Sequence, residues 1–144
     1  MADAREVAAS GLEAFNAHDE NRLRSVYAHH VIFEAPGDIR LEGADATVEY
    51  AMAWLRAFPD ARLTLWNEVA EGDWVAQRFL FEGTHEETLV GPTGEIPATN
   101  RQVRVRGVEF VRVEKGQIVE EYLCFDQAEV LTQLGLMPHL ATAA

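Results

Sequence analysis

The segment that decides the fold runs from Gly116 to Gly135 and reads GQIVEEYLCFDQAEVLTQLG. Its first part, residues 117–125, is rich in β-branched and aromatic side chains and follows a glycine, which is typical of a β-strand. Asp126 then stands where a helix N-cap is expected, and Gly135 with the nearby Pro138 marks the end of a short helix. The segment therefore predicts a strand that leads directly into a helix at Asp126.

Asp126 has two interpretations at this position. In the first, its carboxylate only caps the helix by accepting hydrogen bonds from backbone N–H groups that have no partner within the helix. In the second, the carboxylate is held at the mouth of a cavity beneath a curved sheet. The local pattern by itself favours the cap.

The composition limits the class of protein. The chain has 144 residues, 48% hydrophobic and 25% charged, which predicts a single globular domain over residues 1–144. Its net charge of −12 argues against nucleic acid and anionic membranes as partners, because an acidic surface repels phosphate. The single cysteine excludes an intrachain disulfide. No long apolar run or signal-peptide pattern is present, so we expect a cytoplasmic location.

Hydrophobic periodicity places helices before long strands. The predicted elements are helices at residues 4–17, after Asp19 and at 44–58, and strands at 31–35, 62–70, 74–85 and 101–113. Residues 86–100 are rich in Gly, Pro and Thr and predict a loop. Because the helices are segregated from antiparallel strands, the fold class is α+β.

The helix at residues 44–58 has two apolar faces. Tyr50, Trp54 and Phe58 follow one another at i, i+4 spacing on one face, and Val48 belongs to the other. Such a helix usually contacts two partners, for example a sheet and either a ligand or a second subunit. A wholly buried core helix would show the same pattern.

Several motifs resemble one known family. They are Glu82-Gly83-Thr84-His85, Gly91-Pro92-Thr93-Gly94, the run from Arg112 to Tyr122, Asp126, and Leu131-Thr132-Gln133-Leu134-Gly135. Together they are similar to the SnoaL-like polyketide cyclases, which share a cone-shaped fold with nuclear transport factor 2 and ketosteroid isomerase. The resemblance covers nearly the whole chain. It implies a curved antiparallel sheet that encloses a pocket together with N-terminal helices.

The resemblance also implies an activity. It predicts a cofactor-free lyase or isomerase of secondary metabolism that closes a ring by an aldol-type reaction, or performs a related proton transfer, on an apolar carbonyl-bearing metabolite. Asp126 aligns with the acid/base aspartate of the cyclases, and His85 is expected to be an auxiliary proton donor. A carboxylate can do this chemistry when burial raises its pKa toward the working pH. No His or Cys pair has metal-ligand spacing, so no metal is expected.

Other interpretations stay open. His85 would equally suit a hydrogen-bonded structural position at a strand end. Second to the cyclase-type enzyme, the chain as a whole would suit a non-catalytic module for ligand binding or dimerisation, or an enzyme that hydrolyses or isomerises an epoxide or enone.

The turn before the last strand decides which side chains share a face with Asp126. Glu114-Lys115-Gly116 predicts a three-residue loop with Gly116 in the left-handed conformation. In the resulting register one face is mixed and the other is apolar except for Glu109 and Glu121. The mixed face carries Phe110, Arg112, Glu120, Tyr122, Cys124 and Asp126, and the apolar face carries Val103, Val105, Val111, Val113, Val119, Leu123 and Phe125.

The pattern and the resemblance assign these faces differently. By pattern alone, the apolar face is core and the mixed face meets water. On the resemblance, the mixed face lines the pocket, where Phe110, Arg112 and Tyr122 join Trp54 and Glu34. An arginine beside Asp126 would lower the carboxyl pKa and suit an anionic ligand. The apolar face would then pack against a second subunit in a homodimer.

Overall fold

The structure is a computed structural model that describes residues 2–91 and 94–137. Its elements are α1 (Ala4–Asn16), α2 (Glu20–Val26), β1 (Tyr27–Ala35), β2 (Ile39–Glu42), α3 (Ala44–Ala57), β3 (Arg62–Glu71), β4 (Trp74–Thr84), β5 (Leu89–Gly91), β6 (Gly94–Ile96), β7 (Gln102–Glu114), β8 (Gln117–Phe125) and α4 (Gln127–Gln133). The predicted α+β order is confirmed. Pro92 and Thr93 of the predicted loop motif, and Pro138 after the last helix, lie outside the described residues.

Three short strands were not predicted. β2 follows the turn at Pro36-Gly37-Asp38, beyond the end of the strand predicted at 31–35, and β5 and β6 form a hairpin within the predicted loop. Each is only three or four residues long. A run of that length is too short to show the alternation on which strand prediction depends.

Six strands form one sheet in the order β2-β1-β8-β7-β4-β3. The pairing of β1 with β8 is parallel, and the other neighbouring pairs are antiparallel. One of the five neighbouring pairs thus departs from the predicted antiparallel arrangement, and the sheet is mixed. The last strand lies at its centre, between the first strand of the chain and β7.

The predicted loop between β7 and β8 is also wrong. Lys115 and Gly116 have φ angles of 52° and 76°, so they form a two-residue turn in which both central residues are left-handed. Val113 pairs with Ile118, but Arg112 pairs with Glu120, so a bulge adds one residue to β8. The shorter turn and the bulge each shift the register by one, so beyond the bulge, from Glu120 to Phe125, the side chains lie on the predicted faces.

The apolar face of the sheet is the core. Val103, Val105 and Val111 are each at most 3% exposed, whereas Phe110 on the other face is 50% exposed. Helix α1 contacts β3, β4, β7 and β8, so this face is covered by helices. This face forms the core because the helices remove its alternating apolar side chains from water, which stabilises the folded state. The assignment that the resemblance implied, with the mixed face over the pocket, is thus reversed.

Candidate active site

A cavity of about 120 Å³ lies between the helices and the inner, apolar face of the sheet. Its wall is mainly aromatic and aliphatic. The aromatic residues of the wall are Phe15, Tyr27, Phe33, Tyr50, Trp54, Phe79, Phe81 and Phe125. Trp54 is central to this group, because its ring packs against Phe58, Phe81 and Phe125 with centroids 5.6–5.7 Å away.

The two apolar faces predicted for α3 are both used. Tyr50 and Trp54 line the cavity, while Val48 is fully buried in the core. Phe58, directly after the helix, packs its ring against His85 with centroids 5.1 Å apart. The helix therefore contacts both the core and the space in which a ligand would lie.

Two carboxyl groups enter this cavity from neighbouring strands. Glu109 on β7 pairs with Leu123, and Glu121 on β8 pairs with Val111, so the two glutamates occupy diagonal positions on the inner face. Diagonal neighbours in an antiparallel pair are about 7–8 Å apart. Side chains as long as glutamate span much of that distance.

Tyr27 completes the polar group. It begins β1, which pairs in parallel with β8, and this pairing brings Tyr27 next to Glu121, which lies 94 positions later in the chain. The Tyr27 hydroxyl donates to Glu121, with 3.1 Å to each carboxylate oxygen. A bond from a neutral donor orients the carboxyl group and leaves it without a cationic partner.

Burial controls the protonation of this group. It raises the pKa of Glu109 from 4.5 to about 7. It also raises the pKa of Glu121 well above its usual value, with a further contribution from the neighbouring charge of Glu109, and the Tyr27 hydrogen bond acts in the opposite direction. The pKa of Tyr27 is likewise raised by burial, so its hydroxyl stays protonated. Burial thus favours the protonated form of both carboxyl groups, and Glu109, with a pKa of about 7, can lose its proton near neutral pH.

Among the described residues, Arg106 is the only positively charged residue that borders the inner cavity. Within residues 2–91 and 94–137 neither Glu109 nor Glu121 forms an ion pair. Arg106 borders the cavity, but its exposed side chain alternates with buried Val105 and so extends from the other face of the sheet. The described part of the chain also contains no group of three or more His, Cys, Asp and Glu residues that could hold a metal ion.

Asp126 lies at the N-cap of α4. Its exposed carboxylate accepts hydrogen bonds from the backbone N–H groups of Ala128 and Glu129, at 2.9 and 3.2 Å. The residue does not line the inner cavity. The geometry is that of the capping interpretation, and an acid/base role for Asp126 stays a prediction.

His85 is fully buried, and it does not line the inner cavity either. Its Nδ1 is 3.0 Å from the Thr99 hydroxyl, and its backbone N–H and C=O bond to Arg101 and Asn100. Burial lowers the pKa of the imidazole, so the ring is neutral at neutral pH. These contacts fix the base of the 86–100 region, which agrees with the structural interpretation, and the donor role stays a prediction.

Four of the five predicted pocket residues do not line the inner cavity. Trp54 does, but Phe110, Arg112, Tyr122 and Glu34 occupy the outer face of the sheet. Arg112 forms ion pairs with Glu114 and Glu120 there, and the Tyr122 hydroxyl donates to Glu120. The correction follows from strand alternation, because these residues cannot share a face with the buried valines.

Sequence reasoning recognised Glu109 and Glu121 but gave them no role. Two carboxyl groups on an otherwise apolar face were the available signal, because glutamate is rarely buried without a function or a partner. Tyr27 offered no such signal, since its contact with Glu121 depends on the parallel pairing of β1 with β8.

Comparison with known proteins identifies relatives of this architecture. The family model of the SnoaL-like polyketide cyclases matches residues 6–134. IdmH of Streptomyces antibioticus, a proposed polyketide cyclase, is 27% identical with a TM-score of 0.77, covering 93% of this chain and 99% of its own. AclR of Streptomyces galilaeus, a proposed hydroxylase, is 24% identical with a TM-score of 0.80, covering 96% and 89%.

A third solved structure relates the fold to a wider group. A Catenulispora acidiphila protein with a ketosteroid isomerase-like fold is 16% identical with a TM-score of 0.75, covering 92% of this chain and 94% of its own. The predicted fold is confirmed by this likeness. A search of curated proteins gave no match. None of the helices in the described residues is long and apolar enough to cross a membrane.

Proposed function

Because this chain belongs to the SnoaL-like polyketide cyclase family, we propose that it catalyses cofactor-free proton transfer beside a carbonyl group of an apolar metabolite, as in aldol-type ring closure. The family and the structural neighbours support a small-molecule function of the cyclase or isomerase type. The observation that carries the finer proposal is the pair Glu109 and Glu121 inside an aromatic cavity. We place the acid/base chemistry on this pair.

In the proposed mechanism the two carboxyl groups have different roles. Glu109, with a pKa near 7, is ionised in part at neutral pH and removes a proton from the carbon beside the carbonyl. Glu121 stays protonated and donates its proton in a hydrogen bond to the carbonyl oxygen as negative charge develops there. The Tyr27 hydroxyl donates to the Glu121 carboxyl group and holds it in place. Ketosteroid isomerase uses a neutral buried carboxylic acid as a donor in the same way.

Ring closure would follow within the same molecule. The enolate carbon attacks a second carbonyl carbon, a C–C bond forms, and the new alkoxide takes back the proton that Glu109 removed. No oxidant or cofactor is consumed, since the proton is returned and no electrons are transferred. The aromatic wall excludes water, which would compete as a proton source and weaken the hydrogen bonds to the enolate.

An exchange experiment tests the proposal and its residue assignment. The protein would be incubated in D₂O with a panel of aromatic β-dicarbonyl compounds such as 2-acetyl-1-tetralone, and deuterium incorporation beside the carbonyl followed by NMR above the uncatalysed rate. We expect Glu109→Gln to lower the enzymatic rate by about two to four orders of magnitude. Asp126→Asn serves as the matched carboxylate-to-amide control and should leave the rate unchanged.

Two results would contradict the proposal. A Glu109→Gln protein with wild-type exchange, together with an inactive Asp126→Asn protein, would return the acid/base role to Asp126. A panel that neither binds nor exchanges would favour the non-catalytic module. Isomerisation of an enone needs the same base and donor, so the position of deuterium in the product separates it from ring closure.

We also propose that the protein is a homodimer that packs through the outer face of the sheet. That face exposes a group of large apolar side chains, namely Trp66, Val69, Trp74, Val108 and Phe110. A patch of this kind is uncommon on a monomer, and a twofold axis through it would pair the patch with itself. Sedimentation should show a wild-type dimer at micromolar concentration and a Phe110→Glu monomer. A wild-type monomer at that concentration would refute the dimer.

A further inference from the structure

A second, larger cavity adjoins the inner one. Its volume is about 540 Å³, and it lies among β2, α3, the β5–β6 hairpin and α4. Apolar side chains from each of these elements face it, among them Ile39, Leu41, Ile96 and Leu131. Three of the strands that form it are the short ones that the sequence did not predict.

The two cavities share part of their wall. Tyr50, Trp54, Phe125 and Val130 border both of them. The aromatic side chains among these four therefore separate the carboxyl pair from the outer space. A molecule that occupied both cavities would have to pass along the rings of Tyr50, Trp54 and Phe125.

The volumes show that the inner cavity alone is too small for a polycyclic ligand. An engineered cavity of about 150 Å³ holds a single benzene ring, and pockets for drug-sized ligands are about 300–1,000 Å³. The inner cavity, at about 120 Å³, corresponds to one ring, and the outer one falls within the larger range. A larger metabolite can reach Glu109 and Glu121 only if the rest of it lies in the outer cavity.

We infer that the outer cavity is a second binding compartment, which holds the distal, uncharged apolar part of the same ligand whose reacting ring lies beside Glu109 and Glu121. This inference rests on the proposed function for the position of the reacting ring. The charged side chains that border the outer cavity, Glu49 and Glu95, are both acidic, which disfavours an anionic distal group. Trp54 and its neighbours at the shared wall act as specificity-determining residues, since they set the shape of the connection.

A series of ketones of increasing length tests this inference. Binding of acetophenone, 2-acetylnaphthalene and 2-acetylanthracene would be measured by calorimetry on the full chain. We expect the affinity to rise about five- to tenfold for each added ring, because each ring buries further apolar surface. In Leu131→Glu the ratio of three-ring to one-ring affinity should fall by about tenfold, since the variant places a charge in the outer compartment.

Matched variants keep the test decisive. Thr132→Glu adds the same charge at the next, exposed position of α4 and should leave the ratio unchanged. If Leu131→Glu does not fold, Leu41→Gln on β2 tests the opposite wall of the outer compartment. Equal affinity across the series, or an unaltered ratio in the folded variants, would overturn the inference.

The result is also distinguishable from that of the proposed function. The ketone series measures binding, whereas deuterium exchange tests the proposed function. Length-dependent binding without exchange would reject the chemistry and keep the compartment. Deuterium exchange together with equal affinity for all three ketones would keep the chemistry and reject the compartment.

Discussion

Glu109→Gln should change how the stability of the protein depends on pH. Burial raises the pKa of Glu109 from 4.5 to about 7 in the folded state, while in the unfolded chain it returns to its ordinary value. Between those two values the folded state binds the proton and the unfolded state does not. Stability contributed by the protonated carboxyl is therefore complete below pH 4.5 and is lost as pH rises to 7.

The size of this change in stability follows from the shift in the pKa of Glu109. A difference of about 2.5 pKa units corresponds to about 3 kcal/mol of unfolding free energy. The pI of about 4.7 makes measurements near pH 4.5 impractical, so urea denaturation would be followed from pH 5.5 to 8. Over that interval the wild type should lose about 2 kcal/mol relative to Glu109→Gln.

Glu71→Gln is the matched control, because Glu71 is an exposed glutamate on β3. Its stability should vary with pH as that of the wild type does. The reasoning would be refuted if Glu109→Gln and the wild type showed parallel stability curves over this range. Parallel curves would mean that Glu109 ionises as easily in the cavity as in water.

Three further predictions concern residues outside the carboxyl pair. Asp126→Ala should cost about 1 kcal/mol by thermal denaturation and Asp126→Asn much less, because asparagine also caps helices; equal losses would refute the cap. Because the pKa of His85 is lowered on folding, the neutral ring contributes stability above about pH 6.5, and this stability is lost as pH falls. His85→Gln should therefore reduce the loss of unfolding free energy on the acid side. An unchanged dependence of the unfolding free energy on pH would count against this reasoning. Gly107→Ala should cost about 1–3 kcal/mol in urea denaturation, since the added Cβ would lie 2.6 Å from the Phe79 ring, and a neutral result would show that the ring moves freely.

The sequence was sufficient for the long elements because each carries its own local signal. α1, for example, begins after a capping aspartate, Asp3, and buries a stripe of small apolar residues. The Lys115-Gly116 turn was placed correctly, but its length was not, because a left-handed lysine has no distinctive sequence pattern. The bulge in β8 was not predicted either, because it too has no distinctive sequence pattern.

The candidate site was harder to predict because its parts come from different elements. Alternation correctly separated Glu109 and Glu121 from Phe110 and Arg112. Alternation alone also indicated the correct core face, and the implication of the resemblance led away from it. The contact of Tyr27 with Glu121 depends on the parallel pairing of β1 with β8, and that pairing has no local sequence pattern.

The central position of β8 has a consequence for folding. Without residues 117–125 the sheet would divide into a β1–β2 hairpin and a β7–β4–β3 unit that do not touch in the sheet order. During synthesis, Tyr27 would therefore wait for most of the chain to emerge before it meets Glu121. Such distant contacts slow folding, because the entropy of closing a long loop is lost before the contacts form. The carboxyl pair should thus become buried late, when β8 inserts between the β1–β2 hairpin and the β7–β4–β3 unit.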